Sequence, residues 1–185
     1  ALGIPVVAHV HVPLAAYAPK RRRHICEADV IVGVAEHVVA PIRARGVPPD
    51  AVRVIYNAVD APRLAGGSAV GLREALGIPP TALVATSVGS LIVRKGHDVS
   101  IRAVRAAVAR GVDLHLLLCG DGEDEAAVRA VAEVEAMTAR VHFLGVRRDV
   151  GAILRDATDV LVASAREEAL GLNVLEAQWL GVPVI

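Results

Sequence analysis

Residues 82–119 read ALVATSVGSLIVRKGHDVSIRAVRAAVARGVDLHLLLC. An apolar run at 82–88 leads through a loop containing glycine and lysine into a helical pattern at 97–110, and a second apolar run follows at 114–119. Strand, loop, helix and strand in this order form a βαβ unit, in which the two strands run parallel. This stretch therefore predicts a parallel sheet covered by a helix.

The same alternation of short apolar runs and helical patterns continues along almost the whole chain. In the helix predicted at 97–110, Ile101, Val104 and Val108 recur at steps of three and four residues, and Gly111 follows as a stop signal. The predicted fold class is α/β, with doubly wound, Rossmann-like parallel sheets. Further strands are predicted at 4–9, 29–34, 51–55, 140–144, 159–163 and from 183 onward, and a further helix at 123–137.

The overall composition limits the classes of protein that the chain can belong to. Its 185 residues are 54% hydrophobic, and 20 Lys and Arg residues balance 20 Asp and Glu residues. These values fit a folded domain and disfavour collagen, a disordered chain and a strongly basic nucleic-acid binder. Aromatic residues make up only 2%, so stacking platforms for single-stranded nucleic acid are scarce. We expect no nucleic-acid partner.

The cysteines and apolar runs bear on the cellular location. No apolar run approaches the roughly 18 residues that span a bilayer. Cys26 and Cys119 lie far apart, without the spacing of a disulfide framework or a zinc site, so we expect a cytoplasmic protein. The basic run KRRR at 20–23 leaves open a peripheral contact with anionic lipid at the inner face of a membrane, beside the more ordinary interpretation as a solvated helix face.

A change in composition near residue 60 predicts a domain boundary. Residues 56–62 (YNAVDAP) and 66–68 (GGS) are polar and turn-rich, unlike the units on either side, which is typical of a connection between domains. We expect 1–60 to contain the end of one Rossmann-like domain plus the connection, and 61–185 to form a second, incomplete Rossmann-like domain. The sequence starts without a signal-peptide pattern and stops inside a predicted strand, so both ends are expected to be truncated.

A candidate anion site follows the predicted strand at 82–88. Ligands of doubly wound sheets bind beyond the carboxyl ends of the strands. The loop there contains Gly89, Arg94 and Lys95 and leads into the start of a helix, where unpaired N–H groups attract phosphate. The segment predicts a phosphate site, and a pair of solvated surface cations remains the alternative.

Two glutamates follow the predicted strand at 159–163. Glu168 lies in the loop, and Glu176 lies on the second turn of a helix that begins near Gly171. We expect both carboxylates to reach into one crevice, where charge-assisted hydrogen bonds of about 1.5 to 3 kcal/mol each suit sugar hydroxyls. Two ordinary exposed glutamates are the alternative, although the apolar surroundings of Glu176 indicate that its carboxylate needs a partner.

Two histidines lie where the first predicted strand ends. His9 and His11 are two residues apart, and this spacing places both side chains on the same side of an extended chain. We find no further metal ligands near them in the sequence, so a hydrogen-bonding histidine at the edge of a cleft is the favoured interpretation.

Six segments together resemble a known family. Residues 168–185, EALGLNVLEAQWLGVPVI, resemble the E-x7-E motif and the following G-x-P-V-I strand of the family 4 retaining glycosyltransferases. The resemblance covers nearly the whole chain and implies the GT-B fold, with 1–60 on the acceptor side and 61–185 binding the donor nucleotide. The other similar segments, in the family's order, are 28–31 (ADVI), 54–60 (VIYNAVD), 89–98 (GSLIVRKGHD), 141–145 (VHFLG) and 157–164 (ATDVLVAS).

The resemblance also implies roles for individual residues. Glu176 would bind the ribose diol of a nucleotide-diphosphate sugar, Glu168 would bind hydroxyls of the transferred sugar, and Lys95 would neutralise the diphosphate leaving group. His11 matches the histidine that the first domain contributes to the sugar site better than His9 does. The other implied donor-binding positions are Gly89, Ser90 and Arg94, the backbone around Leu170, Gly171 and Leu172, and the nucleobase-facing turn at Gly145 and Val146.

The implied reaction is transfer of the sugar, with retention of its anomeric configuration, to a sugar, lipid or small-molecule acceptor. Fixed cations and helix N–H groups stabilise the charge that develops on the departing diphosphate, so we expect neither a metal nor a cofactor. Ser90 replaces the arginine that the family has at this position, and Arg94 is the candidate replacement cation. Ala58 replaces a glycine. We expect the 185 residues alone to be inactive.

Two other functions remain as alternatives. The same scaffold can serve a sugar-nucleotide epimerase, or a module that binds nucleotide sugars without transferring them. An NAD-binding domain is disfavoured because no G-x-G-x-x-G follows the first strand, and the short GDG segment at 120–122 predicts only a turn.

Overall fold

The chain folds into two units, each built on its own parallel sheet. The computed structural model describes residues 3–185. Unit 1 consists of the residues up to Ala58 together with Glu168–Gly171, and unit 2 consists of Val59–Glu167 and Leu172–Ile185.

Unit 1 contains three short parallel strands in the order β1-β2-β3. Val7 pairs with Val30, and Ile31 pairs with Val52, so the strands are in a regular parallel register. One helix buries Val38 and Ile42 in the core of this unit. The strands are β1 (Val7–Val10), β2 (Val30–Gly33) and β3 (Val52–Val54), and the α-helices are α1 (Pro19–Cys26) and α2 (Glu36–Arg43).

Unit 2 contains a four-stranded parallel sheet in the order β6-β5-β4-β7. Its strands are β4 (Leu83–Val88), β5 (Leu114–Cys119), β6 (Val141–Gly145) and β7 (Val160–Leu161), and its α-helices are α3 (Ala61–Ala65), α4 (Leu72–Ala75), α5 (His97–Val108), α6 (Glu125–Val134), α7 (Val150–Ala157) and α8 (Leu172–Trp179).

Apolar helix faces cover both sides of the sheet of unit 2. The central strand β5 buries Leu116, Leu117 and Leu118 completely, because a strand covered on both faces has no side chain in water. Leu116 and Leu118 pack with buried residues of α5 and α6. Leu117 packs on the other face with Ile153 of α7. The prediction of an α/β chain with doubly wound parallel sheets is confirmed.

The structure corrects some details of the predicted elements. The first strand starts at Val7 instead of residue 4, and both Ile4 and Val6 are exposed. The strand predicted from 183 onward is reduced to a bridge between Val184 and Leu161, because its neighbour β7 is only two residues long.

The two cysteines differ in their surroundings. Cys119 is buried, and this burial raises the pKa of its thiol to about 12. Cys26 is only half-buried. A less polar environment disfavours the thiolate, and Cys119 is therefore a structural residue of β5.

The basic run at 20–23 lies in α1, where Lys20, Arg21 and Arg23 are exposed and Arg22 is half-buried. Arg22 donates hydrogen bonds to the Tyr17 and Ala15 carbonyls, and Arg23 pairs with Glu27 one turn later. The run is thus a solvated helix face, and contact with anionic lipid stays a prediction. Within residues 3–185, no helix has both the length and the apolar character that crossing a bilayer requires.

Candidate functional site

The carboxyl edge of the sheet in unit 2 gathers many of the predicted site residues. The β4 loop, residues 89–96, leaves the central strand β4 at this edge and contains Lys95. Helix α8 begins at the same edge. In its first turn, the Asn173 side-chain amide donates a 2.9 Å hydrogen bond to the carbonyl of Val88, the last residue of β4. The β4 loop and the first turn of α8 are therefore neighbours, as the rule for parallel sheets predicts.

Glycines allow the β4 loop to pack directly on neighbouring backbone. Gly96 has a φ of 67°, and a Cβ at this position would overlap the Ser164 carbonyl oxygen. A Cβ at Gly120 would overlap the Gly89 carbonyl oxygen. Only glycine tolerates both the left-handed backbone and such close approach. The GDG segment at 120–122, predicted only as a turn, thus holds the β4 loop close to the end of β5.

A buried histidine fixes the first half of the β4 loop. His97 is 2% exposed, and its Nε2 lies 3.1 Å from the Ser90 carbonyl oxygen. A carbonyl only accepts, so Nε2 carries the proton, and Nδ1 accepts from the Ser87 hydroxyl at 3.2 Å. Burial lowers the pKa of His97 and keeps the ring neutral. The two hydrogen bonds fix the Ser90 carbonyl relative to β4.

Two serines fix the second half of the β4 loop. The Ser164 hydroxyl donates to the Lys95 carbonyl at 3.2 Å and accepts from the Ser100 hydroxyl at 2.7 Å. The aliphatic part of the half-buried Lys95 side chain runs along Gly89, since a Cβ at Gly89 would lie 3.5 Å from Lys95 Cδ. The backbone that carries the Lys95 ammonium is therefore held by contacts to the strand ends and to α5.

The predicted replacement cation, Arg94, contacts backbone. Its Nη1 donates a 2.9 Å hydrogen bond to the Glu167 carbonyl. The neighbouring Arg166 donates to the Val93 carbonyl and makes two hydrogen bonds, 2.7 and 2.9 Å long, to Asp98. The Arg166 guanidinium holds the pKa of the Asp98 carboxyl below its usual value. Both arginines thus tie the loop after β7 to the β4 loop and the start of α5.

Glu176 is a buried carboxylate with an arginine partner. It lies one turn after Asn173 on α8 and is 8% exposed. Arg63 of α3 donates to Glu176 Oε1 through Nη2 and forms an ion pair with it. The expectation that this carboxylate needs a partner is confirmed. The sequence does not single out Arg63; the one signal is its position three residues after the motif at 54–60.

The predicted nucleobase turn also follows a strand of the same edge. Gly145 ends β6 with a φ of 64°, and its carbonyl accepts a 2.8 Å hydrogen bond from the Gly120 N–H. Val146 is 66% exposed. The turn is therefore attached to the glycine segment that also supports the β4 loop.

The other predicted site residues belong to unit 1. Glu168, Leu170 and Gly171 lie in its short segment Glu168–Gly171. Glu168 Oε1 accepts from the Ala169 N–H at 3.0 Å, and the Glu168 carbonyl accepts from His37 at 3.3 Å.

The two histidines of unit 1 lie together, as their spacing predicts. Nδ1 of His9 and Nε2 of His11 are 3.2 Å apart, and the ring centroids are 4.1 Å apart. One ring donates and the other accepts, because a hydrogen bond between two rings uses one proton. Across residues 3–185, no three His, Cys, Asp or Glu side chains lie close enough together to hold a metal ion.

A family model matches the part of the chain that contains this sheet edge. The match extends over residues 71–185, and the family is described as glycosyl transferases group 1. The chain belongs to this family.

The curated relatives of this chain include glycosyltransferases. It is 29% identical over 210 residues to the D-inositol 3-phosphate glycosyltransferase of Saccharomonospora viridis, covering 99% of the chain and 48% of the relative. It is 34% identical over 134 residues to LpsE, a lipopolysaccharide core biosynthesis glycosyltransferase of Rhizobium meliloti, covering 72% and 37%. The chain thus spans about half the length of the first of these relatives, and less of the second.

Solved structures share the fold. HepE of Anabaena, in complex with UDP and glucose, superposes with a TM-score of 0.82 at 22% identity, covering 97% of this chain and 52% of HepE. WaaG, a lipopolysaccharide biosynthesis glycosyltransferase, gives a TM-score of 0.72 at 25% identity, covering 83% and 43%. The predicted membership in the glycosyltransferases and the predicted GT-B fold are confirmed, and the narrower assignment to family 4 stays a prediction.

Proposed function

We propose that this chain is the donor-binding part of a retaining glycosyltransferase that uses a nucleotide-diphosphate sugar. The observation that carries the proposal is the convergence, at one sheet edge of unit 2, of the β4 loop with Lys95 and the buried carboxylate Glu176. Membership in the glycosyl transferases group 1 family supports it. The HepE structures with UDP and with UDP-glucose also support a nucleotide-sugar donor.

In this proposal Lys95 stabilises the leaving group. Breaking the bond between the sugar and the diphosphate places negative charge on the departing phosphate oxygen. The Lys95 cation then interacts more strongly with the transition state than with the bound donor, which is the condition for catalysis. Contacts from Ser164 and His97 fix the surrounding β4 loop, so little reorganisation accompanies the reaction.

Glu176 is proposed to bind the ribose. Its carboxylate accepts hydrogen bonds from the two ribose hydroxyls, and its burial keeps competing water away. The turn at Gly145 and Val146 is proposed to face the nucleobase, and Gly89, Ser90, Arg94 and Leu172 to line the diphosphate.

The sugar and acceptor roles are proposed for unit 1. Glu168 binds hydroxyls of the transferred sugar, and His11 contacts the sugar. Backbone N–H groups around Leu170 and Gly171 assist Lys95 in binding the diphosphate. The acceptor is a sugar, a lipid or a small molecule, and it attacks on the face from which the diphosphate departs. Lys95 and the N-terminus of α5 supply the charge stabilisation, so the proposal includes neither a metal nor a cofactor.

Calorimetric titration of the 185-residue chain with UDP, GDP, ADP and NAD tests the proposal. We expect one nucleoside diphosphate to bind at least tenfold more tightly than NAD, and Glu176→Gln to weaken that binding. Preference for NAD would contradict the proposal. In the chain extended to its relatives' length, conversion of the sugar nucleotide without a glycosylated acceptor would favour an epimerase instead.

A further inference from the structure

The ion pair between Arg63 and Glu176 leaves the two side chains in different environments. The Glu176 side chain is 10% exposed, and the Arg63 side chain is 49% exposed. A carboxylate accepts about four hydrogen bonds on its two oxygens, and Arg63 contributes a donor at Oε1. Glu176 therefore retains the capacity to accept further donors while it is paired.

Helix α3, which carries Arg63, is fixed to α7. The Asp60 side chain caps α3 by accepting from the Arg63 N–H at 3.1 Å, and Leu64 is completely buried. The two helices touch so closely that a Cβ at Gly151 of α7 would lie 2.5 Å from the Leu64 carbonyl oxygen. Arg155 of α7 also donates to three carbonyls between residues 64 and 67. Arg63 thus extends from a short helix with little freedom to move.

Helix α8, which carries Glu176, packs on the same α7. Ala177, the residue after Glu176, is completely buried and belongs to one apolar cluster with Leu154 of α7. Since α3 and α8 both rest on α7, the backbone positions of Arg63 and Glu176 are set relative to each other. A carboxylate that pairs with an arginine on another fixed helix has fewer accessible rotamers than a carboxylate that contacts only solvent.

We propose that Arg63 is a positioning residue for the donor nucleotide. It balances the charge of the buried Glu176 carboxylate and holds that carboxylate in the orientation that accepts the ribose hydroxyls. The inference rests on the proposed role of Glu176 in ribose binding. Removing one partner of a buried ion pair leaves the other charge uncompensated, so Arg63 acts on the nucleotide through Glu176 without contacting the ribose itself.

A ligand that lacks the ribose hydroxyls tests this role. Calorimetry compares UDP with 2′,3′-dideoxy-UDP on the 185-residue chain, on Arg63→Ala and on Arg63→Lys. We expect Arg63→Ala to bind UDP about tenfold more weakly and to bind the dideoxy ligand as wild type does. Arg63→Lys keeps a cation near Glu176, so it restores part of the UDP affinity. It also gives a second folded variant if circular dichroism shows that Arg63→Ala is unfolded.

The matched control is Arg105→Ala. The Arg105 side chain is 55% exposed and pairs with Glu135 at 3.3 Å, so the control removes a paired arginine of similar exposure from α5. We expect the control to bind both ligands as wild type does.

Five results would overturn the inference. An equal loss for both ligands would make Arg63 a purely structural residue, and unchanged binding of UDP would remove it from the site. Tighter UDP binding by Arg63→Ala would mean that Arg63 blocks the ribose. A wild-type chain with equal affinity for both ligands would refute ribose binding by Glu176, whereas a wild-type chain that binds no nucleotide would refute the proposed function itself.

Discussion

The two edges of the sheet in unit 2 are held together by different kinds of contact. At the amino edge, charged and polar side chains pair with one another. Arg140 pairs with Asp113 at 2.5 Å, and His115 hydrogen-bonds His142 at 3.0 Å. At the carboxyl edge, glycines of the β4 loop and its neighbours pack against carbonyl oxygens, and the side chains of Ser164, His97, Arg94 and Arg166 donate hydrogen bonds to backbone carbonyls.

This difference indicates that the contacts at the two edges of the sheet have different roles. At the carboxyl edge, side-chain hydrogen bonds to backbone carbonyls fix the β4 loop, and this loop carries Lys95, the cation that is proposed to bind a phosphate. Substitutions at matched positions on the two edges should therefore have unequal effects.

The largest effect is expected for Gly96→Ala at the carboxyl edge. The added methyl group would be strained by the φ of 67° and would overlap the Ser164 carbonyl oxygen. Strain and overpacking together should lower the free energy of unfolding by about 3 kcal/mol, measured by urea denaturation.

Gly111→Ala at the amino edge is the matched control. Gly111 has a φ of 89°, but its added methyl group would meet no atom within 4 Å. The strain alone should cost about 1 to 2 kcal/mol. Equal costs for the two substitutions would show that close packing of the β4 loop adds nothing to its stability.

The second largest effect is expected on turnover, when Lys95 is substituted. In the chain extended to its relatives' length, Lys95→Ala should reduce the turnover of the sugar nucleotide by about 10²-fold, because Lys95 is proposed to stabilise the leaving group. Steady-state kinetics with a nucleotide-sugar donor measures this loss.

Arg140→Ala removes a cation from the amino edge and provides the comparison. Arg140 pairs with Asp113, so we expect its turnover to equal that of wild type. Similar losses for both variants would indicate a general effect of charge, and unchanged turnover in Lys95→Ala would remove Lys95 from the mechanism.

The smallest effect is a dependence of stability on pH. Burial lowers the pKa of His97, His115 and His142, and the positive charge of Arg140 further lowers that of His115. Below the unfolded value of about 6.5, the unfolded chain binds protons that the folded chain does not bind. Stability is therefore fully present above pH 6.5 and decreases as the pH falls towards the folded pKa values, as urea denaturation at a series of pH values will show.

Substitutions can assign this pH dependence to one edge. Two of the three histidines lie at the amino edge, so the double variant His115→Gln, His142→Gln should flatten the dependence more than His97→Gln does. The opposite order would mean that the β4 loop, and not the amino edge, dominates the response to acid.

Much of the fold could be predicted because its elements have local causes. The predicted strand at 114–119 matches β5 at both ends, since a strand buried on both faces is a continuous apolar run. The helices at 97–110 and 123–137 are confirmed with shorter ends. The short helices α3 and α4 escaped prediction, because helices of four or five residues leave too little periodicity to detect.

The site was predictable only in part. Gly96 and Lys95 follow an apolar run, so the rule for carboxyl ends of parallel strands locates them. Arg63 could not be found this way, because it lies 113 residues before Glu176 and no local pattern connects the two. The packing of Gly120 against Gly89 was likewise missed, since a GDG segment looks the same in any turn.

The α/β class and the family resemblance follow from the amino-acid sequence alone. These properties follow from hydrophobic periodicity and from motifs, which are local. The packed structure is needed to establish which carbonyl each glycine approaches, which tautomer His97 adopts and which cation pairs with Glu176. Those outcomes depend on groups from distant segments that meet when the helices pack on the sheet, and burial then makes each unpaired polar group too costly to leave without a partner.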